Sequence, residues 1–175
     1  MPYLRPIVTD GHPVLRKVAK KVRPEELRDP LVQQLIDDMF ATMYAAPGIG
    51  LAAPQVNVSK RIFTVDLQDG NPAHGPFVVV NPVFEHVEGE IESTEGCLSV
   101  PGYVGEITRH ARVVVVGLDR EGRKIRLEGD GLFARCLQHE IDHLNGVLYI
   151  DNVRNLRPAE TDEEREAVEE AASLP

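Results

Sequence analysis

The chain has little of what marks a membrane-spanning or secreted protein. Its 175 residues include no Trp and only two cysteines, Cys97 and Cys136. No apolar run approaches the roughly 20 residues of a membrane-spanning helix, and residues 1–10 lack the basic-then-apolar order of a signal peptide. Without an export signal, both cysteines are expected to be reduced thiols in a cytoplasmic protein, free to serve chemistry or bind metal.

Positive charge is also scarce, because the net charge at pH 7 is −9. This balance argues against a nucleic-acid partner, since phosphate binding is dominated by Lys and Arg. Residues 159–172 hold seven acids against one base, Arg165, and such a run is typical of a solvated tail. We therefore expect one globular domain at residues 1–150 and an acidic C-terminal extension at residues 151–175, partly helical or disordered.

Hydrophobic periodicity predicts an α+β fold. Apolar residues recur at helical spacing over residues 30–45 and again over residues 131–144, where Gly146 suits the helix end. Strand-like runs separated by Gly, Asn and Pro predict hairpins and meanders rather than long crossovers. These runs are residues 61–67, 77–80, 83–91, 111–118 and 124–127. We expect mainly antiparallel sheets packed around a central helix, the one over residues 131–144.

That second helix carries the sequence His139-Glu140-Ile141-Asp142-His143. Two histidines four residues apart stand on one face of a helix, where both imidazoles reach one divalent ion. Glu140 then lies beside the ion, placed to move protons to or from a water molecule that the ion activates. The pattern predicts a hydrolytic metal site, which needs a third ligand and an oxyanion stabiliser.

Four sources of the third ligand can be compared. A metzincin-like site needs a histidine where this chain has Tyr149, so that match fails. A thermolysin-like glutamate, Glu163 or Glu164, lies in the charge run and remains the alternative. Cys136 is about 10 Å along a straight helix from His143, too far to share one ion, and is expected to form part of the wall beside the site. Cys97 lies in a strand-like segment next to a glycine, and we favour it.

The segment Gly48-Ile49-Gly50-Leu51-Ala52-Ala53-Pro54-Gln55 has two interpretations. It is too unlike a phosphate-binding loop to be one, because no strand precedes it and no Lys-Ser/Thr follows. Small residues packed in a turn would explain it. Alternatively, its glycines let the backbone approach a ligand, and Gln55 supplies an amide donor. Taken alone, the first interpretation is favoured.

Together the three segments resemble peptide deformylase, whose motifs GxGxAAxQ, EGCLS and HExDH stand here in order at residues 48–55, 95–99 and 139–143. The resemblance covers residues 8–150. It implies removal of the formyl group from N-formylmethionine at the start of new polypeptides, with release of formate. It also implies metal ligands Cys97, His139 and His143, and a general acid/base, Glu140.

Further roles are implied by the same resemblance. Gln55 and the backbone N–H of Leu98 would stabilise the oxyanion. Ile49 and Gly50 would contact the substrate backbone and line the methionine pocket, with Leu98 and Cys136 nearby. Glu95 and Arg109 match a family ion pair that fixes the cysteine segment.

The resemblance implies Fe²⁺ as the working ion, with Zn²⁺, Ni²⁺ or Co²⁺ able to replace it. The expected partners are N-formylmethionyl nascent peptides and, transiently, the ribosome, without direct nucleic-acid or membrane binding. The sequence departs from the family at two places. Val104 stands where an arginine often meets the peptide, and the acidic extension differs from the basic C-terminal helix by which some relatives dock on the ribosome.

Overall fold

The computed structural model describes residues 1–159 and confirms the α+β class. In this part of the chain there are two α-helices, α1 (Pro30–Ala45) and α2 (Gly131–Leu144). Its strands are β1 (Gly50–Ala52), β2 (Ile62–Val65), β3 (Phe77–Glu88), β4 (Ile91–Cys97), β5 (Val100–Arg109), β6 (Arg112–Leu118), β7 (Lys124–Asp130) and β8 (Arg154–Pro158). They form two antiparallel sheets, one ordered β1-β2-β3-β6-β7 and the other β4-β5-β8.

Both helices have the predicted bounds. Asp29 caps α1 by accepting a hydrogen bond from the N–H of Leu31 (2.9 Å), and Pro30 occupies the first turn, where its missing N–H costs nothing. Beyond the C-terminus of α2, Gly146 takes a φ of +74°, and its N–H donates to the carbonyl of His143 (3.2 Å). A left-handed residue at this position ends a helix and satisfies a terminal carbonyl.

The strands differ from prediction at Asn81-Pro82, which was expected to separate two strands at residues 77–80 and 83–91. That prediction is wrong, because β3 runs through both residues. Asn81 has a φ of +52°, and the pairing with β6 shifts register between Val80 and Val83. The Asn81 side chain accepts from the N–H of Val22 (2.9 Å) and donates to its carbonyl (2.7 Å). These bonds hold the irregular residue within a continuous strand.

Four strands match none of the predicted runs: β1, β5, β8 and β4, although the segment of Cys97 in β4 was described as strand-like. Residues 154–158, assigned above to the extension, pair as β8 with β5 and complete the smaller sheet. Residues 160–175, which make up the rest of the predicted acidic extension, lie outside the described residues. None of the helices within residues 1–159 has the length and apolar character needed to cross a membrane.

The five-stranded sheet has one helix on each face. Alternate strand residues such as Phe63 and Val65 pack with α2, whereas Ile62 packs with α1. Ten residues of α2 are buried, among them the polar His139, Glu140 and His143. Buried polar groups need partners: His139 lies against Glu95 of β4 and His143 against Cys97, whereas Glu140 has no hydrogen-bond partner among the described residues.

Candidate metal centre

The structure brings together the three side chains that the sequence predicts as metal ligands. His139 and His143 project from one face of α2, and Cys97 ends β4 beside them. The two Nε2 atoms are 3.2 Å apart, and the Cys97 Sγ is 3.6 Å from the Nε2 of His143. All three ligand atoms lie within 4.8 Å of one another, and all three residues are buried.

Two of these separations have the values expected around one tetrahedral ion. With metal–nitrogen bonds of about 2.0–2.1 Å and a metal–sulfur bond of about 2.3 Å, tetrahedral angles put two nitrogens about 3.3 Å apart and sulfur about 3.6 Å from nitrogen. The observed 3.2 Å and 3.6 Å therefore match a shared ion. Three protein ligands leave a fourth position open, as in catalytic rather than structural sites.

Cys97 has to lose a proton to bind a metal. Burial raises the pKa of its thiol to about 12. The thiol is therefore protonated at neutral pH until an ion displaces the proton, since a coordinated cysteine is a thiolate. Metal binding and proton release are coupled at this residue.

Cys136 is not part of the ligand cluster. Its Sγ lies 4.0 Å from the carbonyl oxygen of Ile49, and both cysteines are free of a disulfide and fully or almost fully buried. A Cβ added to Gly50 would lie 3.0 Å from this sulfur. Cys136 therefore forms a wall between α2 and the segment that contains Gly50.

Glu95 links the metal ligands to an arginine. Its Oε1 lies 3.1 Å from the Nδ1 of His139, and Arg109 donates to both carboxylate oxygens (2.9 and 3.0 Å). Burial opposes ionisation of Glu95, but His139 and Arg109 outweigh it and hold the pKa of that carboxyl well below its usual range. A carboxylate at Nδ1 keeps a proton there and leaves the Nε2 lone pair for a metal.

The Glu95–Arg109 pair is the one that the family resemblance implies, and it extends further than the sequence indicated. Arg109 also donates to Asp142 of the helix motif (2.6 Å). One guanidinium thereby joins β4 to α2 and fixes both the cysteine strand and the histidine helix. Sequence spacing gave no signal for the Glu95–His139 or Arg109–Asp142 contacts, because they join residues 44 and 33 positions apart.

Glu140 is fully buried, and neither carboxylate oxygen has a hydrogen-bond partner in the described part of the chain. Burial raises the pKa of this carboxyl well above its usual value. An unpartnered buried carboxyl next to a ligand cluster suits a group that exchanges a proton with a bound molecule.

Gln55 is oriented by two neighbours. Its Oε1 accepts from the N–H of Ala52 (3.0 Å), and its Nε2 donates to the hydroxyl of Ser99 (3.3 Å), which in turn donates to the carbonyl of Val8 (2.8 Å). The amide nitrogen therefore points toward the turn of Leu98 and Ser99 that follows Cys97. The first and second motifs meet at this point.

The segment of residues 48–55 is neither the turn nor the loop that the sequence suggested. Gly50–Ala52 forms β1, the edge strand of the larger sheet, and residues 53–56 form a 3₁₀ turn. A Cβ on Gly50 would lie 2.7 Å from Oε2 of Glu140, so a side chain there would collide with it. The backbone of Gly50 therefore passes close to Glu140, and its approach to a ligand stays a prediction.

Two residues discussed from sequence have structural positions that explain them. The Tyr149 ring stacks 6.4 Å from that of His139, and its hydroxyl donates to the carbonyl of Tyr103 (3.0 Å), so Tyr149 supports a ligand. Val104 is fully buried in β5. Glu163 and Glu164, the alternative ligands, lie outside the described residues.

Comparison with known proteins supplies independent findings. A family model described as "Polypeptide deformylase" matches residues 4–159. A peptide deformylase of Symbiobacterium thermophilum is 49% identical over 168 residues, covering 96% of this chain and 75% of that protein. One of Acetivibrio thermocellus is 51% identical over 150 residues, covering 86% of this chain and 84% of the relative.

Solved structures give the same result. A peptide deformylase from Legionella pneumophila superposes with a TM-score of 0.80 at 41% identity, covering 97% of this chain and 94% of that one. A class I type b peptide deformylase from Acinetobacter baumannii, solved bound to Met-Ala-Ser, has a TM-score of 0.79 at 35% identity, covering 87% of this chain and 100% of that one.

Proposed function

Because this chain belongs to the polypeptide deformylase family, and is an enzyme that removes the formyl group from N-terminal formylmethionine, we propose which of its residues carry out the reaction. The observation that supports the assignment is the buried cluster of Cys97, His139 and His143, with the unpartnered Glu140 next to it. The donor set and its spacing fit one divalent ion.

We propose Cys97, His139 and His143 as the ligands and Fe²⁺ as the resident ion, with Zn²⁺, Ni²⁺ or Co²⁺ able to replace it. One thiolate and two imidazoles suit any of these ions. When bound, such an ion lowers the pKa of a water molecule and polarises the formyl carbonyl. Glu95 and Arg109 hold His139 in the tautomer that this role needs.

Glu140 is the proton carrier in this proposal. In its ionised form the Glu140 carboxylate takes a proton from the attacking water, and burial then favours the neutral acid that carries that proton to the amine. The departing group is an amine, which leaves readily only when it is protonated. Glu140 accepts one proton and returns it to the amine, so that formate and a free α-amino group result.

Gln55 and the backbone N–H of Leu98 are proposed to stabilise the negative oxygen of the tetrahedral intermediate. The hydrogen bonds to Ala52 and Ser99 fix the Gln55 amide before substrate arrives. Because the donor is already in place, little free energy is spent on reorganising it when the intermediate forms. Each such donor is worth about 2.7–4 kcal/mol in an enzyme where it has been measured.

The edge strand β1 is proposed to bind the peptide near Ile49 and Gly50. An extended peptide can pair with an exposed strand edge through main-chain hydrogen bonds. Ile49, Gly50, Leu98 and Cys136 then line the space for the methionine side chain. The relative bound to Met-Ala-Ser supports a peptide beginning with methionine as ligand. Because Val104 is buried, substrate binding in this chain does not use a cation at that position.

The family assignment also supports proposals for the domain boundary, the cellular location and the partner of this protein. We propose that residues 1–150 carry the catalytic residues while β8 completes the fold of the same domain, that the enzyme acts in the cytoplasm, and that it associates transiently with the ribosome, where its substrates are made. The acidic extension at residues 151–175 does not supply a basic docking helix of the kind that some relatives use.

A deformylation assay tests the proposal. Protein purified without oxygen should release formate from formyl-Met-Ala-Ser and contain about one ion per chain by elemental analysis. Glu140→Gln should keep the ion but lower kcat by about 10²–10⁴-fold, because it can no longer exchange a proton. Activity that survives in Glu140→Gln rules out the proton-carrying role.

The ligand assignment has a matched pair of variants, since both cysteines are free and buried. Cys97→Ala should lose the ion or bind it much more weakly, whereas Cys136→Ala should keep it. Equal metal loss in the two variants, measured on folded protein by circular dichroism and elemental analysis, contradicts the assignment.

A further inference from the structure

Residues 16–23 form a strip of positive charge on an otherwise acidic protein. Five of the eight residues are basic and none is acidic, although the net charge of the chain is −9. All five basic side chains are exposed. We call this segment the basic strip; its bases are Arg16, Lys17, Lys20, Lys21 and Arg23.

Three charges of the basic strip are uncompensated. Lys17, Lys20 and Lys21 make no ion pair with any acidic residue among residues 1–159. By contrast, Arg16 pairs with Asp151 at 2.7 Å, and Arg23 lies 3.7 Å from Glu26. Clustered cations without counterions create a positive surface potential that attracts polyanions.

The basic strip is held rigidly to the body of the protein. The N–H of Ala19 donates to the carbonyl of Leu144 at the end of α2 (2.8 Å), and that of Lys20 to the carbonyl of Ser59 (3.2 Å). Ala19 and Val22 are buried between the exposed lysines. A partner therefore meets a preformed surface and does not need to order the backbone, which lowers the cost of binding.

The basic strip also lies within a short length of chain of the metal centre. The N–H of Asp10 donates to the carbonyl of Ser99, two residues after the ligand Cys97 (2.6 Å). Asp10 and Arg16 are six positions apart, which is at most about 22 Å of extended chain. A molecule bound to the strip is thus close to the site where the peptide reacts.

We propose that the basic strip docks the enzyme on ribosomal RNA, through its phosphates. The inference rests on the proposed function, because a nascent-peptide substrate is presented by a ribosome, and ribosomal RNA is a polyanion. The net charge of −9 disfavours non-specific binding over the whole surface. The strip concentrates five bases in eight residues, three of them without an ion pair among residues 1–159, and docking through it brings the metal centre near the emerging N-terminus.

The test compares two triple variants with the same charge change. Lys17→Gln, Lys20→Gln and Lys21→Gln together remove the unpaired charge of the strip. Arg28→Gln, Arg123→Gln and Lys124→Gln remove three exposed cations elsewhere that also lack ion pairs within residues 1–159. The probe is vacant bacterial ribosomes, with cosedimentation measured at 50 and 200 mM salt.

We expect wild-type protein and the Arg28/Arg123/Lys124 variant to bind ribosomes with affinities within about twofold. The strip variant should bind at least about tenfold more weakly at 50 mM salt, with a shallower salt dependence, because each lost phosphate contact reduces the slope by roughly 0.7–0.9. Deformylation of free formyl-Met-Ala-Ser should be unchanged in both variants, since it requires no ribosome.

Other outcomes overturn the proposal. If both variants bind ribosomes equally more weakly, the binding is a non-specific attraction between the charge of the whole protein and RNA. If the strip variant binds as tightly as wild type, the contact lies on another surface. Strip-dependent binding to phosphatidylglycerol vesicles without ribosome binding assigns the strip to a membrane surface instead. If wild-type protein fails to deformylate the free peptide, the proposed function fails, whereas loss of the docking proposal leaves that activity intact.

Discussion

Gly50 sets the distance between the edge strand β1 and Glu140, the proposed proton carrier. A methyl group at this position would lie 2.7 Å from Oε2 of Glu140 and 3.0 Å from Sγ of Cys136. Both neighbours are fully buried and have little room to move. Gly50→Ala should therefore displace the Glu140 carboxyl while leaving the three ligand atoms in place. We expect kcat to fall by about 100-fold with metal content unchanged.

A neighbouring glycine provides the control for this variant. A methyl on Gly48 would meet the carbonyl of Met43 at 3.1 Å and does not approach Glu140. Gly48→Ala should cost some stability but keep kcat within about threefold. Similar losses of kcat in both variants, measured with formyl-Met-Ala-Ser and elemental analysis, would mean that the segment is sensitive to any added bulk.

At the residue scale, the sequence predicted the groups whose spacing is local and missed those whose contacts are long-range. His139, Glu140 and His143 were predicted from helical periodicity, and Cys97 because Cys136 was too far along the helix. The Glu95–His139 contact and the stacking of Tyr149 on His139 were not predicted. Their partners come from other elements, and no pattern within a single segment indicates such pairing.

Among the secondary-structure elements, α1 has a second role as the anchor of the N-terminal segment. Asp38, fully buried on α1, accepts from the N–H of Tyr3 (3.0 Å), the Nε of Arg5 (3.0 Å) and the amide of Gln34 (2.7 Å). Burial opposes its ionisation, but these bonds outweigh burial and hold the pKa of Asp38 below its usual value. The N-terminal segment is thus tied across the helix by one carboxylate.

Asp38→Asn should lower the free energy of unfolding at pH 7 by about 1–3 kcal/mol, because charged hydrogen bonds are replaced by neutral ones. A carboxyl whose folded-state pKa is lowered stabilises the protein above its unfolded pKa of about 3.9. That contribution is lost as the pH falls through the folded pKa. The difference between wild type and variant, measured by urea unfolding, should therefore shrink below about pH 4.

Asp37→Asn is the control, because its half-exposed side chain pairs with Arg120 at the surface. Surface pairs contribute about 0–1 kcal/mol. A loss in Asp37→Asn as large as that in Asp38→Asn, or a difference that does not change with pH, contradicts the role given to Asp38.

The secondary-structure elements were predicted well where their pattern is periodic. Both helices matched to the residue, because their apolar spacing and end signals agree. Strands β1 and β8 were missed because a strand of three to five residues is too short for alternation to show. Strand β5 contains Pro101, Gly102 and Gly105, which lower strand propensity, and it forms because β4 and β8 pair with it.

At the scale of the whole molecule, charge is distributed very unevenly. The basic strip carries five bases in eight residues, while residues 159–172 carry seven acids and one base. The net charge of −9 sums over both segments and does not describe the local charge of either one. The composition-based expectation of no nucleic-acid contact therefore applies to the average surface, whereas docking depends on the local charge that a partner meets.

The catalytic unit should remain intact without residues 160–175. All three proposed ligands lie between residues 97 and 143, and the final strand β8 ends at Pro158. The N–H of Ala159 donates to the carbonyl of Gly102 (3.1 Å), so a chain ending there keeps its smaller sheet. The family match also ends at residue 159.

Truncation after Ala159 should retain about one ion per chain and a kcat/KM within about threefold of the full chain, measured with formyl-Met-Ala-Ser and elemental analysis. This result separates the Cys97 site from a thermolysin-like site, in which Glu163 or Glu164 would be the third ligand. Such a site loses its metal when the glutamates are removed, because two histidines alone bind an ion weakly. The double substitution Glu163→Gln and Glu164→Gln in the full-length chain is the matched control. Metal loss in both proteins would transfer the third ligand from Cys97 to the acidic segment, whereas loss in the truncated protein alone would make residues 160–175 necessary for folding.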